Sequence, residues 1–406
     1  MKLLSWFKYL ACLVLFLSIA LFYRNNIAFP SAPINSSSNE NPMELRGVWL
    51  TNVASGVLFA PGSLERSLTM LSQLNFNTVY PVVWNRGLTL YPSEVSKKLT
   101  GTEQVPLLTL MGGGEDVLAK TVKAGKEQDL KVIPWFEYGL MTPANSSLAK
   151  LHPEWLTQNG DGEYSISDQP ELKSQVWLNP LKPEVRQFLK DLVIEVVSNY
   201  DVDGIQFDDH FGLPVEFGYD STTVWSYRQE HQGSFPPIDY YNQEWMKWRA
   251  NKLTQLWQEI AESARKVKPD LRISLATNPY QFAYRNYLQD WQTWVARGWV
   301  DELILQVYRE DLNSFVGELS AEAVKLARSK TPASIGIFTG NLNNPVGIER
   351  IEKQVEAVRD YGFNGVSFFY WESLWSYLTP DSPRKRRHTF QTLFPEPALV
   401  PKFSTY

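Results

Sequence analysis

From Glu44 onward, short apolar runs alternate with longer stretches whose apolar residues recur every three or four positions. Runs of the first kind read as buried strands and stretches of the second as amphipathic helices. Eight strand candidates follow one another: Leu45–Asn52, Asn77–Trp84, Lys131–Tyr138, Val202–Asp208, Arg272–Thr277, Glu302–Tyr308, Ser334–Phe338 and Gly365–Trp371. Helical periodicity is clearest at Pro183–Tyr200, Tyr241–Lys268, Ala321–Ser329 and Gly347–Tyr361, the last ending on Gly362. Strictly alternating strand and helix predict α/β architecture with a parallel sheet, and eight units without a break predict a (β/α)8 TIM barrel. Connections after strands two, three and four are long (Asn85–Gly114, Gly139–Lys182, His210–Asp239), whereas helix-to-strand connections such as Tyr200-Asp201 and Pro269-Asp270 are short. Extended βα loops enlarge the C-terminal face of a barrel, where such folds build their sites. No glycine-rich turn follows the first strand, which argues against a nucleotide-binding fold.

The N-terminal segment has a different pattern. Lys2 and Lys8 precede Tyr9–Tyr23, an apolar run broken only by Ser18. Positive charge ahead of such a run reads as a secretory signal or membrane anchor that leaves the remainder outside the cytoplasm. Residues 25–43 are rich in Asn, Ser and Pro and have no apolar period, as expected of a flexible linker. The expected organisation is a signal peptide or anchor helix over 1–24, the linker over 25–43, a barrel over 44–395 and a C-terminal tail over 396–406. The expected location is periplasmic or extracellular.

Composition narrows the chemistry. Net charge is −5, so no basic face is available for nucleic acid. Four His and one Cys, Cys12, offer few ligands for a zinc or iron site, and Cys12 has no partner for a disulfide within the chain. No metal and no cofactor is expected. Aromatic residues reach 14%, with 15 Trp, which suits flat faces that stack on sugar rings as well as a large core.

The sharpest local pattern is Asp203-Gly204-Ile205-Gln206-Phe207-Asp208-Asp209-His210. Period-two alternation turns Ile205 and Phe207 outward and Gln206, Asp208 and His210 toward the barrel axis, with Asp208 emerging at the mouth. Glycoside hydrolysis takes two carboxyl groups, one to protonate the leaving oxygen and one to attack or to activate water. Asp208 and Asp209 are candidates for the second role. Glu137 at the end of strand three and Glu372 at the end of strand eight are the leading candidates for the acid, since apolar neighbours disfavour the charged form. Glu310 and Asp311 are weaker candidates. Asn52, Trp84, Asn85, Asn278, Gln306 and Tyr308 stand at strand ends where sugar hydroxyls would meet them, Trp49, Trp135 and Trp371 are candidate stacking residues, and Arg46 is a candidate contact or ion-pair partner for Asp208. No nucleophile elbow is present, and His210 has no evident Ser partner.

With Glu44–Thr51 (ELRGVWLT), Val202–Asp209 (VDGIQFDD), Trp177–Pro180 (WLNP), Pro183–Arg186 (PEVR) and Gln306–Tyr308 (QVY), the chain resembles the bacterial glycosyl-hydrolase-like family 10. The resemblance implies a (β/α)8 glycosidase of the cell envelope, hydrolysis of peptidoglycan glycan strands, and Asp208 and Asp209 as site residues. It leaves the acid undecided. The strand-four motif is also similar to the signature of chitinase-type barrels, but Gln206 replaces an Asp and His210 stands where those proteins have their acid Glu. The expected function is hydrolysis of an extracytoplasmic polysaccharide; the alternative is a barrel that binds carbohydrate without cleaving it.

Overall fold

The computed structural model describes residues 42–111, 115–166, 172–375 and 379–403. The expected signal or anchor helix and nearly all of the linker lie outside these residues. No helix among the described residues is long and apolar enough to cross a membrane.

Thirteen strand segments occur among the described residues: β1 (Leu45–Leu50), β2 (Thr78–Pro81), β3 (Trp84–Asn85), β4 (Leu88–Thr89), β5 (Lys131–Val132), β6 (Trp135–Phe136), β7 (Met141–Pro143), β8 (Gln175–Trp177), β9 (Gly204–Phe207), β10 (Arg272–Thr277), β11 (Glu302–Gln306), β12 (Ala333–Phe338) and β13 (Gly365–Phe369). Nine of them form one parallel sheet in the order β5-β2-β1-β13-β12-β11-β10-β9-β6. The two ends of this order are halves of a single run, 131–136, separated only by Ile133 and Pro134. One side of that run bonds to β2 (Ile133 N to Val79 O, 3.0 Å), and the other bonds to β9 (Gln206 N to Pro134 O, 2.8 Å). The sheet therefore curls until its pairing returns on itself, and all eight predicted strands take part in chain order.

β1 is buried along its whole length, as a parallel strand covered on both faces must be. Outside the sheet, the helices Pro183–Asn199 and Gln243–Val267 bury Leu189, Leu192, Val196, Leu253, Leu256 and Ile260, and Trp257 of the second meets Phe207 of β9. Inside, large side chains fill the space in layers. Trp49 lies 5.4 Å from Tyr80 and 6.3 Å from Trp135, ring centre to ring centre. Gly47 is required beside them: a Cβ there would stand 2.3 Å from Ser367 Oγ and 2.7 Å from the Tyr80 ring.

A polar ladder crosses the interior below the mouth. Trp49 Nε1 donates to Gln206 Oε1 (2.7 Å), Gln206 Nε2 to Ser274 Oγ (2.8 Å), and Ser274 Oγ and Tyr80 OH to Glu302 Oε1 (2.8 and 2.9 Å). Arg272 compensates the charge of Glu302 at 2.6 Å. Every buried donor in this ladder has an acceptor, as burial demands. Residues 396–401 lie across the N-terminal ends of the strands: Glu44 N donates to Leu399 O, and Arg46 and Arg272 donate to Glu396 O and Pro401 O.

The long loops lie after β2, β6 and β9. The first carries the β3–β4 pair and the second the antiparallel β7–β8 pair, neither of which the apolar pattern predicts. Two- and three-residue strands are too short to show a period.

Candidate active site

β9 ends where the expected alternation places its side chains. Gln206 points into the barrel, and Phe207 points outward, stacking on Phe136 at 4.9 Å and meeting Trp257 at 6.0 Å. Asp208 then faces inward and is 1% exposed. Its Oδ2 accepts from Trp135 Nε1 (3.0 Å), and its Oδ1 accepts from His210 N (2.9 Å) and lies 3.3 Å from His210 Nδ1. Gln289 holds the main chain of the same turn, donating to Asp208 O and Phe211 O (both 2.9 Å). Asp209 is more open. Asn278 donates to it at 3.0 Å and Gln306 at 3.5 Å.

Glu137 follows β6, the neighbour of β9. Asn85 Nδ2 donates a short hydrogen bond to Glu137 Oε2, and the Glu137 main-chain oxygen lies 3.0 Å from His210 Nδ1. Burial pushes the Glu137 carboxyl up to about 8, and the negative charge of Asp208 adds to the rise. Asp208 is raised to about 6, again by burial, with the charge of His210 opposing. Burial alone would lower the His210 imidazole, but the carboxylates of Asp209 and Asp208 hold it well above the ordinary histidine range. These shifts favour a protonated Glu137, an ionised Asp208 and an imidazolium near neutral pH. Tyr308 completes the wall; burial and the charges of Asp209, Asp208 and Glu137 raise its hydroxyl far above the usual phenol range. Two carboxyl groups held in opposite protonation states are what acid–base cleavage of a glycoside needs.

Glu372 is held by a different segment. Its Oε1 accepts from Gly56 N (2.7 Å) and Val57 N (3.2 Å), tying down the loop after β1. Burial raises it to about 7, opposed by its hydrogen bonds to that loop, and none of the leading influences on it is a carboxylate. Arg46 is at the other end of β1. It pairs with Glu44 at 2.7 Å and donates to Asn75 O and Glu396 O, closing the bottom of the sheet rather than reaching Asp208 or the mouth. Its position near the start of its strand explains this placement.

The candidate tryptophans are packed, not open. Trp49, Trp84, Trp135 and Trp371 are each at most 3% exposed. Trp84 packs edge-on to Phe188 of the helix Pro183–Asn199 and donates to Gly139 O. Trp135 belongs to the site through its indole N–H on Asp208, not through a stacking face. Asn52, on the loop after β1, is half-buried, with a buried side-chain oxygen that accepts no hydrogen bond. Glu310 is exposed, and Asp311 caps the helix Leu312–Leu319 through Ser314 N. Asn85, Asn278, Gln306 and Tyr308 are the predicted ligand contacts brought to the carboxylates. His210 and Gln289 were not singled out from sequence as site residues. For His210 the same alternation that marked Asp208 was the available signal.

Asp208, Asp209 and His210 are also the one trio among the described residues close enough to share a metal ion, with ligand atoms within 4.8 Å of one another. Each Asp208 oxygen already accepts one N–H bond and His210 Nδ1 faces the Glu137 carbonyl, so the remaining carboxylate lone pairs and His210 Nε2 are the donors such an ion would use.

Residues 44–359 match the model of the family described as glycosyl hydrolase-like 10. The glycosyl hydrolase DigH of Escherichia coli strain K12 is 26% identical over 331 residues, which is 68% of this chain and 67% of that protein. The glycosyl hydrolase YngK of Bacillus subtilis strain 168 is 24% identical over 305 residues, 66% of this chain and 55% of that protein. Among solved structures, the PgaB (BpsB) glycoside hydrolase domain of Bordetella bronchiseptica matches with a TM-score of 0.64 at 13% identity, covering 87% of this chain and 98% of that one. The catalytic domain of β-amylase from Paenibacillus polymyxa matches with a TM-score of 0.59 at 13% identity, covering 86% and 98%. At these identities the structural matches speak for the fold alone.

Proposed function

This chain belongs to the glycosyl hydrolase-like 10 family, and from that premise we propose that it is a glycosidase whose (β/α)8 barrel cleaves O-glycosidic bonds of a polysaccharide with Glu137 and Asp208 as its carboxyl pair. The observation that carries the assignment of residues is the coupling of these two groups. Glu137 is the candidate acid whose ionisation is opposed by Asp208, and Glu372 is not.

In this reading Glu137 gives its proton to the glycosidic oxygen as the bond to the anomeric carbon breaks. The ionised Asp208 stabilises the positive charge that develops on the sugar and serves as nucleophile or base. One water is consumed per bond: its oxygen goes to the anomeric carbon and its protons restore the acid and the new hydroxyl. Asp209, Asn278, Gln306 and Tyr308 line the more open side and bind sugar hydroxyls. Water is limited below the reacting carbon by Trp49, Trp135 and Phe369, whose ring centres lie within 6.3 Å of one another. Low polarity there strengthens each charge interaction.

The favoured substrate is peptidoglycan glycan strands, supported by the motifs shared with cell-envelope glycosidases and by the export-type pattern of residues 1–24. Purified protein incubated with peptide-free glycan strands is expected to release new reducing ends, with both Asp208→Asn and Glu137→Gln reduced by about 10²–10⁴-fold. Mass spectrometry of the products reads the bond cut. Undiminished cleavage by both variants would remove this pair from the chemistry. Absence of cleavage by the parent on this and other polysaccharides would leave a carbohydrate-binding barrel as the better reading.

A further inference from the structure

We propose that His210 is the positioning residue of this site: its imidazole ties the two strand ends that carry Glu137 and Asp208, and its charge is the counter-ion of Asp208. The inference rests on the glycosidase reading for its link to rate, but not for its structural part.

The geometry is specific. Glu137 O is a carbonyl and only accepts, so the hydrogen on His210 must reside on Nδ1 to make the 3.0 Å contact. The same nitrogen stands 3.3 Å from Asp208 Oδ1 and 3.9 Å from Asp209 Oδ1. Its own main-chain N–H reaches Asp208 Oδ1 from a second direction at 2.9 Å. One residue thus bridges the segment after β6 to the segment after β9, two strands whose ladder ends at Phe136 and Phe207. The ring is fixed from the side by Tyr138, stacked at 5.4 Å and 27°. Gly139 lies against the other segment: a Cβ there would stand 2.8 Å from His210 O, so the two loops touch at this point. The ionisable groups facing the imidazole are Asp208 and Asp209 from its own segment and Glu137 from the neighbouring one, with the Tyr138 ring beneath. The carboxylates of Asp208 and Asp209 beside one imidazole favour its cation. An imidazolium in turn lowers the cost of ionising Asp208, which burial and the neighbouring Asp209 oppose.

Two substitutions separate the tie from the charge. His210→Asn places an amide N–H near the position of Nδ1 and keeps a donor for the Glu137 carbonyl without positive charge; His210→Ala removes both. His210→Ala is expected to lower kcat by about 100-fold with KM changed only a few-fold. His210→Asn is expected to recover part of kcat, while the acid limb of its pH profile moves upward because Asp208 loses its cation. A residue that merely fills space would not move that limb. If both variants keep the parental kcat and pH profile, the proposal is overturned. Melting temperatures of the variants identify any loss due to misfolding. Should the parent cleave nothing, the glycosidase reading falls, and His210 is still tested by following its ring protons by NMR against pH. Titration above the usual 6.5 in the parent, moving toward that value in Asp208→Asn, supports the proposal. Titration at or below 6.5, unmoved in Asp208→Asn, overturns it.

Discussion

Glu137 directly follows β6, whereas the last strand stops at Phe369, short of the expected Trp371, and Glu372 lies in the helix Trp371–Trp375; both carboxyl groups are buried, yet they have different surroundings. Glu137 faces another carboxylate, whereas Glu372 faces backbone N–H groups. Their glutamine variants should therefore diverge. Glu137→Gln is expected to lose activity and gain stability. The carboxyl is raised from its ordinary 4.5 to about 8. Below pH 4.5 it is protonated in folded and unfolded chains alike; as pH rises toward 8 only the unfolded chain gives up the proton, so the folded state loses stability across that window. The variant should match the parent's melting temperature near pH 4.5 and exceed it by a few degrees at pH 8. Glu372→Gln should keep most of the activity, within about ten-fold, because a neutral amide oxygen still accepts from Gly56 and Val57. Calorimetry at the two pH values and a single rate assay check both expectations.

Among the elements, the long connection after β9 depends most on a few polar contacts. Asp220 caps the helix Ser221–Glu230 through Thr223 N (3.1 Å) and also accepts from Thr157 Oγ1 (3.0 Å), Asn179 Nδ2 (2.9 Å) and Thr223 Oγ1 (2.8 Å). Asn179 is the third residue of the Trp177–Pro180 motif, so that motif has a structural role: it joins the loop after β6 to the loop after β9. Further along, buried Arg249 donates to the carbonyls of Phe217 (2.5 Å) and Tyr240 (2.7 Å) and so gathers both ends of the same connection. Asp220→Ala removes a cap and leaves buried donors unpaired, a loss of about 2–4 kcal/mol. Urea unfolding should show this loss as a lower midpoint with an unchanged slope. Activity at temperatures well below the transition should fall far less than in Asp208→Asn, because Asp220 does not contact the carboxyl pair.

The pH profile belongs to the whole molecule, since burial by the closed sheet raises both carboxyl groups. Asp208 must be ionised and Glu137 protonated, so kcat/KM is expected to rise through about pH 6 and fall through about pH 8. A profile measured across pH 4–10 would contradict the assigned roles if activity kept rising beyond the upper value. At the same scale, residues 396–401 close the bottom of the sheet and the loops widen its top, so support and chemistry occupy opposite ends, as is general in this architecture.

Much of this could be read from the chain alone. Buried parallel strands are short apolar runs, and the amphipathic helices between them repeat every 3.6 residues, so the order of all eight strands was visible before any contact was known. Alternation along β9 told which way Gln206 and Asp208 point, because direction relative to a sheet is a property of position within one strand. What lies across the barrel is a different kind of information. Glu137 and Glu372 have equivalent local patterns, and only the neighbours brought by other strands separate them. Arg46 and Asp208 are both charged residues of barrel strands, but strand direction sends one to the bottom and the other to the mouth. Trp49 and Trp371 are of a residue type that stacks on sugars, but closure of the sheet buries Trp49, and Trp371 is buried in the helix Trp371–Trp375. The period of a strand is local chemistry; the company its last residue keeps is set by the tertiary packing of segments far away in sequence.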